Sequence, residues 1–201
     1  MKISLNDAGK RFNREWIFRN ANISFEAAHP TAITGANGSG KSTLLQCIGG
    51  MMELSEGKIE YEGYNNETIY KNISFCAPYL ELIEEMTMKE FLSFHAAFKP
   101  FLKEFTVHAI INEIGLNEAK EKQLRNFSSG MKQRVKLAQA IFSDTDIVLL
   151  DEPCSNLDEQ GIALYHQLIQ KYCCERLVIV CSNDPVEYNF CKRTVSMVEF
   201  K

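Results

Sequence analysis

Nine residues constrain this chain more than any others: Gly35-Ala36-Asn37-Gly38-Ser39-Gly40-Lys41-Ser42-Thr43. They match G-x-x-x-x-G-K-[ST], the P-loop pattern that cradles nucleotide phosphates. Glycines let the backbone turn tightly enough for successive N–H groups to converge on one phosphate. Lys41 is placed to reach the β- and γ-oxygens, and the Ser42 hydroxyl to meet a Mg²⁺ ion. Residues 31–34 read as a short buried strand, and residues 42–48 as a helix stopped by Gly49-Gly50. Strand, glycine loop and helix in that order set the helix N-terminus, with its free N–H groups and partial positive charge, under the phosphates.

A chain of 201 residues can build one full core with an inserted subdomain. A net charge of −4 gives no reason to expect binding to nucleic acid or to an anionic membrane. No apolar run approaches the ~20 residues of a membrane span. The first seven residues lack the apolar stretch of a signal peptide. A cytosolic location is therefore expected, unless a partner holds the chain at a membrane. The seven cysteines are odd in number and form no C-x-x-C pair. They read as free thiols packed as small hydrophobes in a reducing compartment.

Residues 2–5, 22–26, 58–61 and 73–76 carry the alternation or β-branched content of strands. From residue 87 to about 124 the spacing turns helical, with Phe91, Leu92, Phe94, His95 and Phe98 in one stripe and Pro100 as punctuation. That stripe reads as packing, with part of it open to a partner. A long helix is expected over 129–142 and another over 159–174. Continuous apolar runs at 147–150 and 177–181 suit strands covered on both faces, and residues 194–200 suit a last strand. The order implies an α/β core with a helical insert near residues 78–140.

The second half of the chain narrows the chemistry. Ser128-Ser129-Gly130-Met131 precedes Ile147-Val148-Leu149-Leu150-Asp151-Glu152, and Ser155-Asn156-Leu157-Asp158 follows. An apolar strand would deliver Asp151 to its carboxyl end, where ligands of α/β sheets collect. There the carboxylate can hold Mg²⁺, directly or through water. Glu152, one position on, can polarise a water in line with the γ-phosphate. Ser128 is a favoured residue to cap the helix that follows it.

These motifs, in this order after a P-loop, resemble the ATP-binding cassette (ABC) ATPases over essentially the whole chain. The resemblance implies a P-loop NTPase core, a mixed sheet flanked by helices, with an antiparallel β subdomain and an inserted α-helical subdomain. It implies a single domain over 1–201, with core and β subdomain in 1–77 and 141–201 and the helical subdomain in 78–140. Ser128-Ser129-Gly130-Met131 resembles the family signature, residues 147–152 Walker B with its trailing glutamate, and Asp158 the end of the D-loop. The implied cofactors are ATP and Mg²⁺. Ser128 and Gly130 would meet the γ-phosphate of ATP on a second subunit, in a head-to-tail dimer. Phe12, about 29 residues before Lys41, stands where the family places an aromatic against adenine, with Trp16 as the competing ring.

Three positions depart from the family pattern. Pro78 falls where a metal-contacting glutamine is usual, which leaves a water or Glu81 to fill the place. Asn183 falls at the switch histidine; it can donate a hydrogen bond to the γ-phosphate but carries no charge. Met131 replaces the last glutamine of the signature. Catalysis by Lys41 and Glu152 is expected, since Lys41, Ser42, Asp151 and Glu152 are all intact; whether Pro78 and Asn183 slow it stays open.

The expected function is that of the ATPase subunit of an ABC transporter, working in the export direction. It would drive separate membrane permease subunits through ATP-dependent dimerisation, with a homodimer preferred to a heterodimer and the inner face of the cell membrane as its place. Two alternatives stay open. One is a soluble ABC ATPase without a membrane partner. The other is a nucleotide-gated subunit that hydrolyses little.

Overall fold

The computed structural model describes residues 1–27 and 29–200. Two sheets form its frame. A three-stranded antiparallel sheet is ordered β2-β1-β4, from Lys2–Phe12 (β1), Glu15–Glu26 (β2) and Glu56–Tyr61 (β4). A five-stranded sheet is ordered β5-β6-β7-β3-β8, from Thr31–Thr34 (β3), Ile73–Cys76 (β5), Ile147–Asp151 (β6), Leu177–Cys181 (β7) and Arg193–Ser196 (β8). Every pairing in the second sheet is parallel. The antiparallel pairing of the expected mixed sheet thus falls in the smaller sheet.

The core strands read as unbroken apolar runs because both their faces are buried. In β6, Val148 and Leu150 pack into one cluster, with helices Ser129–Phe142 (α4) and Glu159–Tyr172 (α5). Ile147 and Leu149 pack into the other, with helix Lys41–Ile48 (α1) and the small sheet. Strand β7 divides the same way, Val178 and Val180 against Leu177, Ile179 and Cys181. A period of two with both parities apolar is the mark of a central parallel strand.

Between β5 and β6 the chain leaves the sheet and builds helices Met88–Phe98 (α2) and Val107–Glu113 (α3) before α4 returns to pack on β5. Thr87 starts α2 with a reciprocal cap: its hydroxyl accepts from Glu90 N at 3.2 Å, and the Glu90 carboxylate accepts from Thr87 N at 2.8 Å. The expected stripe on α2 divides. Phe91 and Leu92 are buried, whereas Phe94 and Phe98 are 44% and 75% exposed and stack edge-on at 5.0 Å.

Two other expectations shift. Strands β1 and β2 run well beyond residues 2–5 and 22–26, because bulges between Leu5 and Arg11 break the alternation that marks a strand. The last strand stops at Ser196, and Met197–Phe200 coils into a single 3-10 turn. The cysteines are free, with only Cys174 fully exposed. No helix among the described residues is long and apolar enough to cross a membrane.

Candidate nucleotide site

Three loops converge because three strands are neighbours. Cys181 of β7 lies in register between Ile33 of β3 and Asp151 of β6. Ser182 N donates to Ile33 O at 3.2 Å, and Glu152 N donates to Cys181 O at 2.9 Å. The P-loop, the turn after Asp151 and the loop carrying Asn183 therefore leave the same carboxyl edge of the sheet, where ligands of open α/β sheets bind.

Gly38 and Gly40 have φ of 77° and 101°, values that an L side chain resists. At Gly40 a Cβ would also stand 2.5 Å from Ile17 Cγ2. Gly40 is the N-cap of α1 and offers no side chain, so the first N–H groups of the helix are not capped from within. The Lys41 ammonium is 5% exposed and folds back on the loop, donating to Gly35 O at 2.7 Å and Ala36 O at 3.3 Å. A charge so held needs an anion of comparable strength to draw it out, and a phosphate at the α1 N-terminus is one.

Asp151 is 2% exposed, and its Oδ1 has no hydrogen-bond partner. Burial pushes its carboxyl above the usual range, and the charge of Glu152 adds to the effect. The Ser42 hydroxyl, hydrogen-bonded to it, and the Lys41 charge pull the other way. An unpartnered buried carboxylate oxygen beside a hydroxyl is an oxygen donor pair that fits a hard divalent cation, with phosphate and water completing six-fold coordination. No cluster of three or more His, Cys, Asp or Glu side chains forms an all-protein metal cage among the described residues.

Glu152 follows Asp151 with φ of 43°. A left-handed glutamate is uncommon, and here it turns the side chain out of the strand and into the P-loop cavity. Glu152 lines that cavity with Asn37, Gly38, Lys41, Ser42, Thr43 and Ile17. Asn183 joins it from β7: its Nδ2 donates to Asn37 Oδ1 at 2.7 Å.

The remaining sites predicted from sequence are placed as follows. The Pro78 carbonyl accepts from Lys136 Nζ at 2.7 Å. Glu81 lines a groove with Pro78, Lys132 and Lys136, and neither Glu81 nor Pro78 lines the P-loop cavity. Next to Pro78, the Tyr79 hydroxyl accepts from Gln46 Nε2 at 2.8 Å. Phe12 ends β1, 46% exposed, with Lys10 Nζ 5.2 Å above its ring. Trp16 is occupied by two guanidiniums, Arg19 at 4.5 Å and Arg11 at 5.4 Å.

Ser128 caps α4, accepting from Met131 N at 3.2 Å. Ser128, Ser129, Gly130 and Met131 share a second cavity with Arg134, Asn156 and Asp158. Gly130 approaches Asn156 so closely that a Cβ would lie 2.9 Å from its carbonyl oxygen. Asp158 caps α5, accepting from Gly161 N at 2.8 Å, and pairs with Arg134 at 3.3 Å. No residue lines both this cavity and the P-loop cavity.

Sequence reasoning missed Ile17, Gln133 and Glu187. Ile17 enters the cavity through the register of β2, which no local pattern reveals. Gln133 and Glu187 are buried polar residues at 2% and 5% exposure, and their charged neighbours in sequence, Lys132 and Arg134 beside Gln133 and Asp184 near Glu187, hide that burial from any local pattern.

The comparisons with known proteins agree with this layout. The family model described as ABC transporter matches residues 18–155. An uncharacterised ABC transporter ATP-binding protein of Bacillus subtilis, YybJ, is 32% identical over 80% of this chain and 75% of its own length. The cytochrome c biogenesis ATP-binding export protein CcmA of Rickettsia conorii is 38% identical over 74% of this chain and 77% of its own. Among solved structures, the dimeric post-hydrolysis state of the ATP-binding cassette MJ0796, bound to ADP and Pi, superposes with a TM-score of 0.84. That match covers 96% of this chain and 93% of the other at 22% identity, a likeness of fold.

Proposed function

The chain belongs to the ABC transporter family as one of its ATPase domains, and from that premise we propose that it drives a separate membrane permease by ATP-dependent head-to-tail dimerisation. The observation that carries this reading is the separation of the two cavities. Lys41, Ser42, Asp151 and Glu152 meet at one edge of the sheet, while Ser128 and Gly130 sit at a second cavity that shares no residue with it. A signature that lines a cavity apart from its own P-loop is available to another subunit's nucleotide.

In this reading Gly35 to Thr43 bind the phosphates, and Lys41 exchanges its two carbonyl partners for the β- and γ-oxygens. Ser42 and Asp151 hold Mg²⁺, which supplies charge neutralisation on the phosphates when bound. Glu152 orients the attacking water, and Asn183 exchanges Asn37 for a γ-phosphate oxygen. Phe12, 46% exposed and approached by the Lys10 ammonium at 5.2 Å, stacks on adenine in preference to Trp16, which two guanidiniums cover. Ser128, Ser129, Gly130 and Met131 act in trans, and Asp158 holds the turn beside them. The domain division follows the same lines, with a catalytic core and β subdomain in 1–77 and 141–201 and a helical subdomain in 78–140.

The chain works in the cytoplasm against a permease at the membrane, in a homodimer by preference. Export is supported by the export-type relative named above. The test is the oligomeric state of Glu152→Gln with ATP and Mg²⁺, measured by light scattering. A shift from monomer to dimer with ATP, absent in Glu152→Gln combined with Gly130→Asp, supports the reading. A monomer at all ATP concentrations contradicts it. Co-purification with membrane proteins rather than with soluble partners separates the transporter reading from that of a soluble ATPase.

A further inference from the structure

One peptide unit, one residue beyond Glu152, is gripped at both ends by buried side chains. Its carbonyl, that of Pro153, accepts from Gln133 Nε2 of α4 at 2.7 Å. Its N–H, that of Cys154, donates to Glu187 Oε1 at 2.7 Å. Glu187 belongs to the short helix Pro185–Tyr188 (α6), which follows the loop carrying Asn183. Gln133 lies on the helix that Ser128 caps. Side chains from the signature helix and from the Asn183 segment thus meet on the peptide plane that follows the catalytic turn.

The surroundings argue against a purely space-filling role. Glu187 Oε2 is buried with no hydrogen-bond partner, an unfavourable place for a carboxyl. Burial raises its pKa, opposed by the Ser182 hydroxyl and the Cys154 N–H. An apolar residue would be the cheaper filler. On its other side, the backbone carbonyl of Glu187 accepts from the buried Tyr165 hydroxyl at 2.9 Å, which anchors it to α5. Glu152 itself needs holding, because its φ of 43° costs energy that the surrounding structure must offset.

We propose that Gln133 and Glu187 form a clamp on the Pro153–Cys154 peptide that positions Glu152 and couples its aim to the signature helix and to the Asn183 loop. The clamp rests on the role proposed above for Glu152. Both residues are positioning residues, since neither lines the phosphate cavity. Loss of either arm frees the same peptide, so the two arms act as one unit and their effects do not add.

The test compares the purified full chain with Glu187→Ala, Gln133→Ala, the double variant and Glu187→Gln, whose amide oxygen still accepts from Cys154 N. With Mg²⁺-ATP, each alanine variant is expected to lose kcat about tenfold or more with KM within about twofold, as for an interaction needed only in the transition state. The double variant is expected within about twofold of the weaker single, and Glu187→Gln to keep at least about a third of kcat. Amide hydrogen exchange over residues 152–158, without nucleotide, reads the clamp independently of turnover. It is expected to quicken in both alanine variants and to return in Glu187→Gln.

Unchanged kcat in a folded Glu187→Ala, or a rise in KM alone, overturns the clamp, as does unchanged exchange in that segment. An inactive wild-type chain whose segment 152–158 still loosens on clamp removal overturns the proposed function and keeps the clamp. Should Glu187→Ala fail to fold, Gln133→Ala against wild type and Glu187→Gln carries the same comparison.

Discussion

Asn183 donates its side-chain amide to the Asn37 side-chain oxygen at 2.7 Å, which ties the end of β7 to the middle of the phosphate loop across 146 positions of sequence. This bond takes one of the two N–H donors of the amide that the proposed mechanism aims at the γ-phosphate. A neutral amide gives a weaker bond to a phosphate oxygen than an imidazolium does. Asn183→His is therefore expected to raise kcat about threefold to tenfold below pH ~7, where the imidazole gains charge. Asn183→Ala is expected to lower kcat by a similar factor with KM nearly unchanged. Steady-state turnover against pH checks both.

Lys41 is held by two loop carbonyls, so its removal loses both loop order and phosphate binding. Lys41→Ala is expected to weaken ATP binding about a hundredfold, or about 3 kcal/mol, the scale of a buried charge-assisted contact. Calorimetric titration with ATP measures it.

Asp151 carries the conflict between stability and function. Its folded-state pKa is raised, by burial first and then by the charge of Glu152. The folded chain therefore holds this proton more tightly than the unfolded one, and stability falls as pH rises through the window above the ordinary value of 3.8. Asp151→Asn removes the buried charge and is expected to raise the melting temperature of the nucleotide-free chain by about 2–4 °C, roughly 1 kcal/mol at this size. The same variant is expected to lose the Mg²⁺ dependence of nucleotide binding. Thermal melts with and without Mg²⁺-ATP report both effects.

How much of this was legible in the sequence depended on whether a feature is local. The P-loop, the apolar run of β6 ending in Asp151, and Ser128 as a helix cap are each written within about ten residues, and each forms as read. Strands β1 and β2 were not fully legible, because Asp7 and Asn20 adopt positive φ at irregular positions and interrupt the period of two. The Asn37–Asn183 bond, Ile17 beside Gly40, and the grip of Gln133 and Glu187 on one peptide arise from sheet register between distant segments. No spacing rule encodes them. The α2 stripe was legible as an apolar face, but helical periodicity does not say which of its residues the chain itself covers.

His95 gives the fold an acid limit. Gln139 Nε2 lies 2.9 Å from its Nδ1, and Ser143 Oγ lies 2.9 Å from its Nε2, while the Ser143 hydroxyl donates to Gln139 O at 2.6 Å. These partners favour a neutral ring. Burial, then the charge of Lys99, brings its pKa from 6.5 down to about 4. The unfolded chain takes up this proton first, so stability is full above pH 6.5 and falls as pH drops towards about 4. The loss is at most about 3 kcal/mol, and smaller because the ring is partly exposed. Denaturant melts between pH 7 and 4 are expected to show a shallower decline in His95→Gln.

Arg176 holds the end of α4. Its guanidinium donates to Ile141 O at 2.5 Å, Thr145 O at 2.6 Å and Ser143 O at 3.0 Å, all buried. Arg176→Ala strands three carbonyls and is expected to cost about 3–5 kcal/mol. Arg176→Lys, a point charge without the fork, is expected to recover less than half of that. Urea melts at neutral pH measure the difference.

The most direct measurement is steady-state ATP turnover of the purified chain with Mg²⁺, across protein concentration, beside Glu152→Gln. A working dimer gives turnover that rises more steeply than protein concentration and that disappears in Glu152→Gln while ATP binding remains. Turnover that is linear in protein concentration, or that survives intact in Glu152→Gln, contradicts the account.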